Sequence, residues 1–295
     1  MGVHPINVAV VTGGSSLLSS RAYQPSEALV PYIKRHYIYE ADMPDDFEMI
    51  DGVFVETSYV LILLRGDWAV EVTPGTWVCP GNVVLCGPGT RPLRVRVRGA
   101  FRVAGFAIRP SGWKSMFWES TRNFLDQFVA LTDSWGGASQ PMFDAVNAAA
   151  DDKAVVAAME LAINEQMDRI GPREPDVQIA EFEQIALQNS MMSVEDIAHQ
   201  LGLSVRQFER RSLDALGLTP KMVLRRSRFF EIAAAMRGFS SPSGERLAAL
   251  RYHDHSHVNR EFKRFTGITP RAFTKIETPL FSANLKMRAE LASLI

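Results

Sequence analysis

The chain has 295 residues, 46% hydrophobic and 22% charged, which is typical of a soluble globular protein, and its length predicts two domains. A formal net charge of -1 would argue against nucleic-acid binding, but the charges are unevenly distributed. Residues 190–275 carry 15 Lys and Arg against 8 Asp and Glu, whereas the rest of the chain carries 17 Lys and Arg against 25 Asp and Glu. This asymmetry indicates a basic binding module attached to an acidic one.

Cysteine content and hydropathy further narrow the class of protein. With only Cys79 and Cys86, the chain has too few cysteines for a disulfide scaffold, and we expect both thiols to be reduced. No apolar run reaches the roughly 18 residues that span a bilayer, and the apolar stretch 8–12 lacks the basic flank of a signal peptide. We therefore expect a cytoplasmic protein without a membrane partner.

Residues 23–109 show a β pattern. The continuous apolar run 59–64 predicts a strand, the turn signal Arg65-Gly66-Asp67 predicts a hairpin, and residues 68–72 alternate as the returning strand. Further strands bounded by Gly and Pro turns are predicted at 83–86, 93–98 and 101–108. Short strands at this spacing are typical of a small sandwich or barrel.

Two features of the β region bear on ligand binding. An apolar barrel interior near Trp68 and Trp77 would hold a small-molecule effector, although each side chain is better explained as a core residue. The outward face of 93–98, with Arg94, Arg96 and Arg98, would attract an anion or form a solvated surface. We predict no catalytic residue, metal or cofactor here.

Helical periodicity follows at 113–117, 124–131 and 142–167. The last segment carries an apolar stripe, which would pack on the β region or form a dimer interface: Met159, Leu161, Ile163 and Met167. The Pro- and Gly-rich stretch 171–175 then interrupts all periodicity. It divides the chain into domains at 1–170 and 171–295.

The C-terminal domain reads as two helix-turn-helix units in tandem. The units cover about 193–218 and 245–267, a linker helix over 220–237 joins them, and 277–295 adds a tail helix. Gly217-Leu-Thr-Pro220 and Gly267-Ile-Thr-Pro270 fall in register, each with a capping Thr before a Pro at the first helical position. The expected fold class is α+β, a β domain with appended helices followed by an all-α domain.

The second helix of each unit carries a basic and polar face suited to DNA. Arg pairs with guanine and Asn with adenine in the major groove, while neighbouring cations neutralise phosphates. The base-contact candidates are Arg206, Gln207, Glu209 and Arg210 in the first unit and His255, Ser256, Asn259 and Arg260 in the second. The phosphate candidates are Ser204, Arg211, His257, Lys263 and Arg264.

These motifs resemble the AraC/XylS family of bacterial transcription regulators. The resemblance rests on the A-x-x-x-G-x-S turn at 198–204, the pair Arg210-Arg211, the two G-[LI]-T-P motifs and the run YHDHSHVNREFKRFTGITP at 252–270. It implies a DNA-binding domain reading a promoter and a cupin-like N-terminal domain for effector sensing or dimerisation. It also implies an activator, which would have RNA polymerase as a partner, although repression is left open.

Two positions depart from the family pattern. Arg251 stands where a glycine usually relieves strain in the second turn, and Ser212 stands where phenylalanine usually fills the first unit's core. Both departures are expected to weaken the unit that contains them.

Alternative readings remain. His253, His255 and His257 suggest a metal site, but alternate helical residues diverge, so only His253 and His257 could share an ion. The chain as a whole would alternatively be a non-metal cupin-like ligand-binding protein with an auxiliary basic helical module, or a protein-interaction adaptor. Salt-dependent, sequence-selective DNA binding by residues 170–295 separates these functions.

Overall fold

The structure is a computed structural model that describes residues 6–11, 17–241 and 255–292, with side chains described for 18–241 and 259–290. The strands are β1 (Ile6–Val11), β2 (Leu17–Tyr23), β3 (Ile33–Ala41), β4 (Glu48–Val53), β5 (Tyr59–Thr73), β6 (Thr76–Val78), β7 (Val83–Cys86), β8 (Leu93–Ile108) and β9 (Phe128–Ala130). They form one antiparallel sheet in the order β1-β2-β3-β8-β5-β7-β9, with β4 paired to β8 and β6 to β5.

The helices follow the sheet. They are α1 (Thr132–Trp135), α2 (Ser139–Asn147), α3 (Asp152–Ile170), α4 (Val177–Gln188), α5 (Val194–Gln200), α6 (Val205–Leu216), α7 (Pro220–Met236), α8 (His255–Thr266), α9 (Pro270–Phe273) and α10 (Pro279–Ala292). We call the described residues up to 170 the sheet region and those from 177 onward the helical region. The predicted α+β class, with β structure first and helices after it, is confirmed.

The hairpin predicted at Arg65-Gly66-Asp67 is wrong, because β5 runs straight through it. Leu63 pairs with Val103 and Asp67 with Arg98 on the same neighbour, β8, and the register shifts between them absorb the glycine as a bulge. Gly66 has a φ of 97°, and a side chain there would meet Phe101 at 2.7 Å. The chain reverses only at Pro74-Gly75, before β6.

The two strands predicted at 93–98 and 101–108 are one strand, β8. It passes through Gly99, whose φ of 64° bends the chain without ending the hydrogen bonding. The first part pairs with β4 and the second with β3, while β5 pairs along both. β8 is therefore the strand around which the sheet is assembled.

Helix α3 packs on one face of the sheet. Met159 and Ile163 of α3 are fully buried in a core shared with Phe106 and Ile108 of β8. Leu161 is 62% exposed, so it does not belong to the predicted apolar stripe, because it lies about 200° around the helix from Met159. The packing interpretation of α3 thus holds for Met159 and Ile163.

The helix predicted at 124–131 is also wrong. Residues 128–130 form β9, an edge strand in which Val129 pairs with Leu85. The preceding residues 121–124 make a short 3-10 turn whose Phe124 packs beside Trp113. Phe124 and Leu131, two of the apolar residues whose spacing suggested a helix, belong to the core on one face of the sheet.

Local capping fixes the helices of the helical region, as the sequence predicted. Ser204 and Gln207 form a complete capping box at the start of α6, and the Thr219 and Thr269 side chains accept backbone N-H bonds before α7 and α9. The linker helix α7 has 17 residues and ends one residue before the predicted boundary. The first half of the second unit, residues 242–254, lies outside the described residues.

The tail helix α10 packs on the sheet region. The backbone N-H groups of Leu280 and Phe281 donate to Asp51 Oδ2 at 2.8 and 3.3 Å, so a β4 carboxylate satisfies the first turn of α10. Further along α10, Asn284 Oδ1 accepts a bond from Tyr39, and Arg288 pairs with Glu56 at 2.8 Å. The tail therefore links the C-terminal end of the chain to the N-terminal sheet.

A second link between the regions is aromatic. Phe54, immediately after β4, is 3% exposed and sits among side chains of the helical region. Its ring centroid lies 5.1 Å from that of Phe265, 5.4 Å from Phe230 and 6.0 Å from Phe229. Burying a phenylalanine side chain contributes roughly 1.5–3 kcal/mol in general. An aromatic pair of this kind adds roughly 0.5–1.5 kcal/mol, and both contributions favour the docked arrangement.

The buried Asp51 predicts a pH-dependent stability. Burial raises its pKa from 3.8 to about 6, against the opposing effect of the backbone N-H bonds from Phe281, Leu280 and Gly52. The folded protein therefore holds this proton more tightly, and the resulting stabilisation is present below about pH 4 and lost as the pH rises through 6. We expect the free energy of unfolding of wild type minus that of Asp51→Asn to fall by about 2 kcal/mol between pH 4 and pH 7.

Urea denaturation of both proteins across this pH range measures the difference. Because asparagine still accepts the α10 N-H bonds, the variant folds with the same cap. A difference that stays constant with pH would show that Asp51 does not titrate in this window.

Candidate nucleic-acid interface

Helix α6 presents a polar face. Phe208, which is buried, packs edge-on against Phe182 of α4 at a centroid distance of 4.7 Å. This contact turns the opposite face of α6 to solvent, and the exposed residues there are Arg206, Gln207, Glu209 and Arg210. The predicted base-contact candidates of the first unit are thus together on one accessible surface.

Three candidates of the first unit also have structural roles. Gln207 Oε1 accepts both the backbone N-H and the hydroxyl of Ser204 at 2.9 Å, so these two side chains form the cap at the start of α6. Arg211, a predicted phosphate contact, pairs with Asp176 Oδ2 at 2.7 Å beside the start of α4. The other two cations of α6, Arg206 and Arg210, have no comparable ion pair or capping hydrogen bond within the described part of the chain.

Helix α8 repeats the arrangement. Phe262 and Phe265 are buried, whereas Asn259, Arg260 and two further cations, Lys263 and Arg264, are exposed. Glu261 faces the linker helix, where it forms an ion pair with Arg225 that fixes α8 on α7. The second unit therefore also presents a basic and polar surface, attached to the same rigid linker.

Some predicted positions lie outside the described residues. The backbone of His255, Ser256 and His257 belongs to α8, but their side chains are not described. Arg251 and His253 lie outside the described residues altogether. Within the described part of the chain, no three His, Cys, Asp or Glu side chains are grouped so as to hold a metal ion, and no helix is long and apolar enough to cross a membrane.

Ser212 proves to be a satisfied core residue. It is fully buried on α6, and its hydroxyl donates to the carbonyl oxygen of Leu218 at 2.7 Å, across the turn that follows the helix. Gly217, in the left-handed conformation with a φ of 71°, makes this turn possible. The departure from phenylalanine therefore replaces a large side chain with a hydrogen bond.

The two tryptophans predicted to line an effector site lie in different places. Trp68 lines an apolar cavity between the sheet and helices α7 and α10. Trp77 does not line it, because the ring lies on the sheet surface beneath the guanidinium groups of Arg94 and Arg96, at 5.6 and 5.0 Å. Arg94 in turn pairs with Glu71, which agrees with the interpretation of this arginine face as a solvated surface.

The cavity is lined by both regions. Its apolar lining includes Tyr37, Tyr59, Leu61, Val103 and Phe128 from the sheet region, and Phe230 and Leu280 from the helical region. Charged side chains also line it, and Glu56 is the acidic one. Burial alone would raise the pKa of Glu56, but the charges of Arg288 and Lys34 outweigh it and lower the pKa to about 2. Glu56 is therefore ionised at neutral pH.

Sequence patterns missed the residues of the sheet region that lie beside α6. Ser120 and Arg122, in the 3-10 turn after Trp118, line an open groove with Arg206, Arg210 and other residues of α6. They lie about ninety residues away in the chain, and no local pattern signals the contact. We call this surface, bounded by residues 120–122 and α6, the α6 groove.

Comparison with known proteins supports the helix-turn-helix interpretation. A family model described as a helix-turn-helix domain matches residues 197–276, and another, described as a domain of unknown function, matches residues 21–130. No curated protein matches the chain.

Two solved structures are distantly similar. ToxT from Vibrio cholerae is 10% identical, with a TM-score of 0.45 over 81% of this chain and 97% of that chain. The AraC-like transcriptional activator CuxR is 14% identical, with a TM-score of 0.25 over 74% of this chain and 77% of that chain. These likenesses are too low to carry an argument about fold or function.

The match over residues 197–276 and the exposed faces of α6 and α8 define the class of protein: a DNA-binding transcription regulator. Within this class, the paired G-[LI]-T-P motifs and the run 252–270, both inside or adjoining the matched helix-turn-helix domain, resemble those of the AraC family.

The bond from Ser212 predicts the effect of removing its hydroxyl. Ser212→Ala leaves the Leu218 carbonyl without this partner in a buried turn, so we expect the free energy of unfolding to fall by about 1 kcal/mol. Ser212→Phe should cost more, because no space surrounds this fully buried side chain. Urea denaturation measures both, with the exposed Ser204→Ala cap variant as a comparison. A Phe variant more stable than wild type would contradict this view of the core.

Proposed function

We propose that this regulator reads two adjacent half-sites in one promoter, with α6 and α8 as its recognition helices. The observation that carries the proposal is the exposure of matching basic and polar faces on two helices joined by one linker helix. Successive major grooves on one side of B-DNA are about 34 Å apart. The linker helix α7 has 17 residues and is about 26 Å long, a length that suits such spacing.

Each exposed residue has a role in this proposal. Arg206 and Arg210 would grip guanine edges, Asn259 would pair with adenine, and Glu209 would accept from cytosine. Arg260 and the undescribed side chains of His255 and Ser256 complete the second reading surface. Lys263 and Arg264, one turn further along α8, would neutralise phosphates, as would His257. Ser204, Gln207 and Arg211 would contribute through positions that also stabilise α4 and α6.

The sheet region would sense an effector. An apolar small molecule would suit the cavity, because aromatic and aliphatic side chains form most of its lining. Since Phe230 of α7 and Leu280 of α10 contribute to the lining, a bound molecule would contact the DNA-binding half directly. The proposal also includes two domains, at 1–170 and 171–295, and a cytoplasmic location. It further includes a homodimer and activation through RNA polymerase.

A protein-interaction adaptor is the competing interpretation. It would use the same basic faces for an acidic protein partner, and it predicts no selectivity among DNA sequences.

Selection of random-sequence duplexes by the purified protein tests the proposal. We expect one enriched motif with two half-sites about ten base pairs apart. The double variant Arg210→Ala/Arg260→Ala should lose the enrichment, since each bidentate arginine contact contributes about 1–3 kcal/mol of base discrimination. Arg65→Ala/Arg98→Ala, with two exposed sheet arginines, is the matched control and should select like wild type. Recovery of duplexes without a shared motif would contradict the proposal.

The cavity can be tested with 1-anilinonaphthalene-8-sulfonate, a fluorescent probe whose aromatic rings bind in apolar cavities. Leu61 is buried in the cavity lining, so Leu61→Trp should fill the space and abolish the increase in probe fluorescence. Val72→Trp, on the same strand but 51% exposed, is the control and should bind the probe normally. Near-ultraviolet circular dichroism confirms that both fold. If the Leu61 variant binds the probe as well as wild type does, the probe does not occupy this cavity.

A further inference from the structure

The turn at residues 120–124 of the sheet region holds the C-terminal end of the first recognition helix. Ser120 Oγ donates to the carbonyl oxygen of Asp214 at 3.3 Å, and Thr121 Oγ1 donates to that of Ala215 at 2.8 Å. These carbonyls lie in the last turn of α6, where the helix itself provides no partners. Two hydroxyls of the sheet region therefore cap α6 from outside.

The attachment is firm. Thr121 is 2% exposed, and Phe124 of the same turn is buried in the sheet core. Leu125 packs on the core beneath α6. Because the turn is anchored on both sides, the residue between these anchors, Arg122, has a fixed position beside α6.

Arg122 adds an accessible cation to the α6 groove. Its side chain is exposed, and among the described residues no carboxylate pairs with it. The groove carries three arginines, Arg122, Arg206 and Arg210, against the carboxylates of Glu209 and Asp214. Lys114 from the sheet region lies 3.4 Å from Asp214 and offsets its charge. The groove as a whole is therefore positive.

The location of Arg122 distinguishes it from a base-reading residue. When a recognition helix lies in the major groove, base edges face the helix and the phosphate backbones run along its sides. Arg122 is on a separate element at the side of α6, where a phosphate would lie. A cation in this place contributes to affinity through phosphate neutralisation, equally for all sequences.

We propose that Arg122 makes a DNA phosphate contact beside α6, so that the sheet region supplies part of the DNA interface. This inference rests on DNA binding by α6, as proposed above. It assigns a DNA contact to a residue outside the helix-turn-helix units. It also makes the DNA affinity of the first unit depend on the docked position of the sheet region.

Salt titration of full-length protein on the duplex that wild type selects tests this inference. Fluorescence anisotropy should show that Arg122→Ala reduces the slope of log K against log salt by about 1, with binding weakened on the order of fivefold at 0.1 M salt. The loss should be the same on a mismatched duplex. Arg122→Lys, which keeps the charge, should restore both values. Arg65→Ala, an exposed arginine outside the α6 groove, should match wild type.

The outcomes separate this inference from the function it rests on. If wild type selects no motif, the proposed DNA-reading function fails. If wild type selects a motif but Arg122→Ala keeps its slope and affinity, only the contact is refuted. Tighter binding by Arg122→Ala would also refute it, and would show that the turn at 120–124 obstructs α6.

Discussion

The burial of Phe54 among Phe229, Phe230 and Phe265 is the contact on which the arrangement of this protein depends. It joins the end of β4 to the linker helix α7 and to α8 at once. Asp51, three residues earlier, caps α10 on the same side of the sheet. A short segment of the sheet region thus contacts three helices of the helical region: the linker helix α7, α8 and α10.

The same contact brings the cavity next to the linker helix. Phe230 contacts Phe54 and also lines the cavity, whereas its neighbour Phe229 packs against Phe262 of α8. The cavity is therefore separated from α8 by a single layer of aromatic side chains. Packed aromatic layers transmit displacement because they have few alternative arrangements. Under the proposed function, this layer would be a short physical route from an effector to DNA.

Charge in the helical region is less available to DNA than the composition suggests. The excess of Lys and Arg in residues 190–275 includes Arg226, which is 3% exposed. Burial lowers its pKa to about 10, so it remains charged at pH 7 while facing the sheet region. Arg225 pairs with Glu261, and Arg228 donates to the carbonyl oxygen of Ser190 at 2.6 Å. The linker helix uses its arginines to hold the helical region together, so the proposed DNA surface consists of α6, α8 and residue 122.

Sequence patterns predicted what is local. The capping residues Ser204 and Thr219 stand within three residues of the groups they bind, so the helix starts could be read directly. The continuous strand through Gly66 could not be predicted from the sequence, because its pairing with the distant strand β8 overrides the local turn signal. Contacts such as Phe54 with Phe265, or Thr121 with α6, join segments far apart in the chain. They depend on the docking of the two regions, which no periodicity records.

A hydroxyl-radical footprint of the wild-type protein on its selected duplex would test the central claim most directly. If α6 and α8 of one chain occupy successive major grooves, two protected patches about ten base pairs apart should appear on one face of the DNA. Both should persist at protein concentrations where a single chain is bound. A single protected patch, or uniform protection along the duplex, would contradict the account of tandem reading by one chain.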